Sequence, residues 1–169
     1  MVTLVFSRGA GPLSRFIMLA TRGRASHAMI GLELYGVEIL LHATIGGVQA
    51  TTRAKKFKSC RFVAEYEILQ DVSVGVAEAL RRLNERFDYV GLLGYIPVLF
   101  WRWLGRKIKN PLASPGATVC SEFVMELDSE SAPIHSWAGR DPERMTPEDL
   151  LRICEADAET VDGCFRRVA

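Results

Sequence analysis

The segment from Ala25 to Thr44 constrains the fold more tightly than any other part of the chain, because its alternation and its turn together fix a register. In Ala25-Ser-His-Ala-Met-Ile-Gly-Leu-Glu-Leu34, the residues Ala28, Ile30, Leu32 and Leu34 alternate with His27, Met29, Gly31 and Glu33, which is the period of a strand with one greasier face. Tyr35-Gly36 then reads as a two-residue turn, and Val37 to Thr44 as the returning strand. Pairing Leu34 with Val37 sets Met29 opposite His42 and His27 opposite Thr44. His27 and His42 are therefore expected on one face, at diagonal positions that two imidazoles can bridge. A three-residue loop would send His42 to the other face.

Around this hairpin the pattern is that of a mixed domain. Thr3 to Ser7 reads as a short buried strand, Gly9 to Pro12 as a loop, and Leu13 to Thr21 as a helix with Phe16, Ile17 and Ala20 on one face. Gly46-Gly47 makes a turn, Val48 to Thr52 a third strand and Cys60 to Leu69 a fourth, with the basic run Arg53 to Lys58 between them read as a solvated loop. Val72 to Phe87 has helical periodicity, with Val76, Ala79, Leu80 and Leu83 on its inner side. Asp128 to Arg144 is polar and rich in turns and holds the third histidine, His135. Thr146-Pro-Glu-Asp149 is a helix start, with Thr146 as cap and Pro147 at the first position. The tail beyond Asp157 carries no pattern.

The chain has 169 residues, 49% of them hydrophobic, enough for one domain with its own core, and a single domain over 1–169 is the expectation. Lysine and arginine number 21 against 20 acidic residues, so bulk charge gives no case for nucleic acid. The four cysteines, Cys60, Cys120, Cys154 and Cys164, form no C-x-x-C pair, which argues against a zinc ribbon or a thioredoxin motif; no metal and no cofactor are expected. Reduced thiols suit a cytosol-like compartment. The first residues lack the features of a signal peptide, so a cytoplasmic location is the default expectation, with delivery outside the cell by another route left open.

The stretch from Val90 to Leu104 is nearly all apolar or aromatic, contains Pro97, and is followed by Arg106, Lys107 and Lys109. It is shorter than the roughly 18 apolar residues of a spanning helix. Two readings stay open: a buried helix pair beneath an active-site cleft, or an interfacial patch in which Phe100, Trp101 and Trp103 meet lipid while the basic residues meet anionic headgroups.

Ala117-Thr-Val-Cys-Ser-Glu-Phe-Val-Met-Glu-Leu127 follows the turn residues Pro115 and Gly116, with Phe123, Val124 and Leu127 at helical spacing and Thr118 or Ser121 available as a cap. Cys120 is thus expected where a helix begins, beside unpaired N–H groups that favour a thiolate. A small buried hydrophobe is the plainer reading of such a cysteine. A nucleophilic thiol needs a base within hydrogen-bond reach and a third group to hold that base, and the two hairpin histidines offer both.

Four motifs in order, Ser26-His-Ala-Met-Ile-Gly31, Leu41-His-Ala43 with Gly46-Gly-Val48, Phe87-Asp-Tyr89, and Val119-Cys-Ser-Glu-Phe-Val124, resemble the permuted papain-like fold of the NlpC type, a family that includes the bacterial YiiX and YaeF proteins and the lecithin:retinol acyltransferase group. The resemblance spans most of the chain. It implies an α+β fold, an antiparallel β-sheet or barrel packed against helices, with the nucleophile at a helix N-terminus. It also implies Cys120 as nucleophile, His27 as base and His42 as the residue orienting it. Glutamate tends to stand at the position of His42 in YiiX-like members, and histidine in the acyltransferase group. Tyr89, Ser26 and Ser121 are candidate cleft residues.

The chemistry implied is acyl transfer through an acyl-enzyme. The foremost expectation is a cysteine hydrolase, of peptidase or amidase type, cleaving an amide bond in a peptide or in peptidoglycan. A lipid thioesterase or acyltransferase is the second, and a noncatalytic structural or binding module that keeps the fold is the third. The expected partners are accordingly a peptide, cell-wall or lipid substrate. Nothing in the sequence bears on oligomeric state.

Overall fold

The computed structural model describes residues 1–44, 47–84, 101, 120–128 and 133–169. The protein is α+β, built on one six-stranded antiparallel sheet. In chain order the elements are β1 (Val2–Gly9), α1 (Pro12–Thr21), β2 (His27–Leu34), β3 (Val37–Thr44), β4 (Gly47–Thr52), α2 (Arg53–Lys56), β5 (Cys60–Ile68), α3 (Ser73–Arg81), α4 (Cys120–Met125), α5 (Pro147–Ala158) and β6 (Phe165–Arg167). Short 3-10 turns at His135–Trp137 and Pro142–Arg144 lie between α4 and α5. The spatial order is β4-β3-β2-β1-β5-β6.

The hairpin forms in the expected register, from Leu34↔Val37 to Ile30↔Leu41. Tyr35 and Gly36 both have positive φ, 51° and 76°, as a type I′ turn requires, and that turn matches the right-handed twist of its flanking strands. β1 lies between β2 and β5, pairing Ser7 with His27 on one side and Ser7 with Phe62 on the other, with a register shift between Phe6 and Ser7.

The alternation sorts the sheet into two faces. Leu4, Phe6, Ala28, Ile30, Leu32, Leu41, Ala64 and Tyr66 face a large core closed by Phe123, Val124 and Leu127 of the α4 region, by Leu150, Leu151 and Cys154 of α5, and by Trp137. Val5, Met29 and Leu40 face the other way, under Phe57. His27 and His42 belong to this second face by strand parity. Gly75 of α3 is required by close approach: a Cβ there would stand 2.5 Å from the Leu127 backbone.

Several sequence expectations need correction. None of the α1 residues is buried: on the face expected to be apolar, Phe16 is exposed and Ile17 and Ala20 are only partly covered. The basic run Arg53 to Lys58 is not a solvated loop. Its first residues make the helical turn α2, whose Arg53 bonds Glu38 Oε1 at 3.1 Å and the buried Glu65 Oε2 at 2.7 Å. The polar loop after α4 buries Ile134 and Trp137. Phe165–Arg167 adds an edge strand on β5 that the tail gave no sign of. α5 starts as expected, with a full capping box between Thr146 and Asp149 and Pro147 in its first turn. Among the described residues no helix is long and apolar enough to cross a membrane. Of the aromatic stretch, only Trp101 lies within the described residues, and it is partly exposed, at 37%. Phe100, Trp103 and Tyr89 lie outside them.

Candidate active site

A cleft of about 260 Å³ opens at the end of the sheet where β1 finishes, β2 begins and β3 finishes. Ser7 and Gly9 come from β1, Leu13, Ser14 and Ile17 from α1, Ser26 and His27 from the start of β2, Ala43 and Thr44 from β3, Lys56 from α2, and Cys120 from α4. Among the described residues, Ser59 and Cys60 line it as well. At a strand end both faces of a sheet become accessible, so a helix packed on one face and histidines on the other can reach one space.

The entrance to β2 is held by hydroxyls and by one carboxylate. Ser26 Oγ lies 2.5 Å from Ser14 Oγ, and the Gly9 amide donates to Ser14 Oγ at 2.9 Å, which ties α1 to both strands. Glu148, buried in α5, accepts from the Arg24 amide at 2.6 Å, the Ala25 amide at 3.1 Å and Arg152 Nε at 3.1 Å. Two residues before His27, the backbone is thereby pinned to the opposite side of the core.

The rings of His27 and His42 stand edge to face, with centroids 5.5 Å apart and an interplanar angle of 89°. The contact is one of packing, for no hydrogen bond joins the two rings among the described residues. Lys56 Nζ lies 3.2 Å from His42 Nδ1. An ammonium has only protons to give, so Nδ1 accepts and the proton of neutral His42 sits on Nε2. Burial is the main cause that lowers the pKa of His42, to about 4, with the Lys56 charge second. His27 is pushed well below its ordinary value by burial first, then by Lys56 and His42. Both imidazoles are therefore neutral near pH 7. His27 Nε2 is buried and has no hydrogen-bond partner among the described residues.

Cys120 is half-buried and free, as are the other three cysteines in having no disulfide. Its sulfur lies near the backbone N–H groups of Ala28, Ser121 and Cys120 itself, which favour a thiolate, but burial outweighs them and raises the thiol above its ordinary pKa. This reverses the direction expected from a helix start alone, because desolvation penalises the charged form more than the amides repay. The resting site thus holds a thiol and a neutral imidazole. Such a pair can act by passing the thiol proton to the imidazole as the sulfur attacks.

Of the sequence-derived candidates, the structure brings Cys120, His27 and Ser26 onto one cleft, with His42 immediately behind His27. Ser121 does not join them: it is 1% exposed and donates to the Met145 carbonyl at 2.7 Å, fastening α4 to the segment before α5. His135 is exposed on a 3-10 turn and lines no part of the cleft. The residue that sequence reasoning missed is Lys56. Its only signal was position, three residues into the turn that follows β4, within a run whose charge suggested solvent. Among the described residues no group of three or more histidine, cysteine or acidic side chains could hold a metal ion. Comparison with models of known protein families and with curated proteins finds no match for this sequence.

Proposed function

We propose that the protein is a cysteine hydrolase of the permuted papain-like kind, cleaving an amide bond in a peptide or in peptidoglycan through Cys120, His27 and His42. The observation that carries this reading is the shared cleft of Cys120 and His27, with the His42 ring set against that of His27. In the reaction, the Cys120 sulfur bonds to the substrate carbonyl carbon while its proton passes to His27. The developing oxyanion is stabilised by backbone N–H groups beside the sulfur, those of Ala28 and Cys120. His27 then returns the proton to the departing amine as the C–N bond breaks, leaving a thioester. Water, deprotonated by His27, releases the acid and regenerates the thiol. His42 keeps the His27 ring in place and, being neutral, adds no charge to oppose the imidazolium that forms. Its own ring is fixed by Lys56.

The apolar part of the lining, Leu13, Ile17 and Ala43, favours a second reading, an ester or thioester of a lipid as the acyl donor. One experiment separates the readings. The protein is exposed to muropeptides or to phospholipid vesicles, quenched in acid, and the Cys120 peptide is weighed. A peptidyl adduct absent from Cys120→Ala and strongly reduced in His27→Ala supports the amidase; a fatty-acyl adduct supports the lipid enzyme. Alkylation of Cys120 by iodoacetamide at a rate unchanged in His27→Ala would leave only a noncatalytic module.

A further inference from the structure

Lys56 is a cation in the wrong surroundings for a structural lysine. It is half-buried on the cleft lining, and among the described residues it has no carboxylate within ion-pair distance. The charged and titratable groups around it are His42, whose Nδ1 it contacts, His27, which feels its charge, and the thiols of Cys60 and Cys120. Its neighbour Arg53, one turn earlier, shows the contrast, since both Glu38 and Glu65 are spent on it. Buried charges in proteins are as a rule paired, and a pocket cation without an internal anion is a place for an external one. A second observation points the same way. Ser7 Oγ, also on the cleft lining, is 1% exposed and has no hydrogen-bond partner among the described residues. The cleft therefore holds a spare cation beside a mainly aliphatic wall of Leu13, Ile17 and Ala43, with the unpartnered Ser7 hydroxyl buried at its lining.

We propose that Lys56 is a specificity-determining residue that seats a carboxylate of the substrate, so that the acyl compound attacked by Cys120 carries an acidic group close to its scissile carbonyl. This rests on the reading of Cys120 and His27 as a nucleophile and its base. A carboxylate fits better than a phosphate because one lysine balances a single negative charge, whereas a phosphate carries nearly two and three acceptor oxygens. The lysine ammonium is a compact point charge, suited to a monoanion approaching from one side. Desolvation lowers the pKa of Lys56, and an arriving anion reverses that by replacing the lost water.

Two reagents of nearly equal size read this out. Iodoacetate and iodoacetamide both alkylate sulfur: an S–C bond forms, iodide leaves, and the thiol proton passes to His27 and on to solvent. They differ in whether the incoming group carries a carboxylate. The rates are measured at pH 7.5 by mass spectrometry of the separate Cys120 and Cys60 peptides. The expected result is an iodoacetate-to-iodoacetamide rate ratio at Cys120 about tenfold above that of free cysteine, as one unit charge nearby can supply. That ratio should fall to the free-cysteine value in Lys56→Met and be kept in Lys56→Arg. A wild-type ratio no higher than that of free cysteine, or one unchanged in Lys56→Met, overturns the proposal. Protection of Cys120 by inorganic phosphate, stronger than by acetate at equal concentration, overturns the choice of carboxylate. The hydrolase reading fails separately, if His27→Ala leaves both alkylation rates unchanged. Modification of Cys120 by neither reagent would refute both.

Discussion

Acid should destabilise this protein through the two histidines at its cleft before it reaches most of its carboxylates. In the unfolded chain a histidine takes up a proton near pH 6.5, while native His42 resists protonation down to about 4, because burial and then the Lys56 charge oppose it. Between those values the unfolded state binds the extra proton, so stability falls as pH falls, and below the lower value the loss is complete. Integrating the two titrations gives a loss of about 2 kcal/mol between pH 7 and pH 5 from His42 alone. His27 adds to it with the same sign. The assay is urea unfolding followed by circular dichroism at pH 7, 6 and 5, for the wild type and for His42→Gln. With a urea slope of about 2 kcal/mol per molar, the wild-type midpoint should drop by roughly 1 M more than that of the variant over this range. The difference, not the absolute value, isolates position 42. Parallel midpoints for the two proteins across the range would refute the idea that the ring is held neutral in the native state.

Two further outcomes follow from the scaffold. Glu148→Ala leaves the amides of Arg24 and Ala25 without their acceptor and should cost about 3–5 kcal/mol in the same unfolding assay, whereas Glu148→Gln, which keeps an oxygen at the site, should cost clearly less. Gly36→Val places a β-branched residue at φ 76° in the hairpin turn and should cost about 1–3 kcal/mol, read as a lower melting temperature; a neutral result would mean that the turn relaxes to another type.

The parts of this molecule that were legible beforehand are those where one short sequence signal decides a local geometry. Tyr35-Gly36 is such a signal, since only a two-residue turn puts the alternating aliphatics of both strands on one side, and the His27 and His42 rings follow from it. Thr146-Pro-Glu-Asp149 is another, because its capping box is satisfied within four residues. What stayed hidden depends on partners far along the chain. Arg53 to Lys58 reads as solvated unless Glu65, which draws Arg53 inward, is known to be its neighbour. Phe165–Arg167 is too short to show an alternation and becomes a strand only because β5 offers an edge. The state of Cys120 was misjudged for a related reason: the amides beside it could be foreseen, but the burial that outweighs them belongs to the folded cleft.

One four-residue turn carries both a lock and a tool. Arg53 fastens it to β3 and β5 through two glutamates, and Lys56, a single helical turn further on, reaches into the cleft. The two jobs are therefore mechanically inseparable: any change that loosens the guanidinium from its glutamates also misaims the ammonium. Any change in where that lysine sits on the cleft would have to begin with the residues that anchor its arginine, well away from the sulfur.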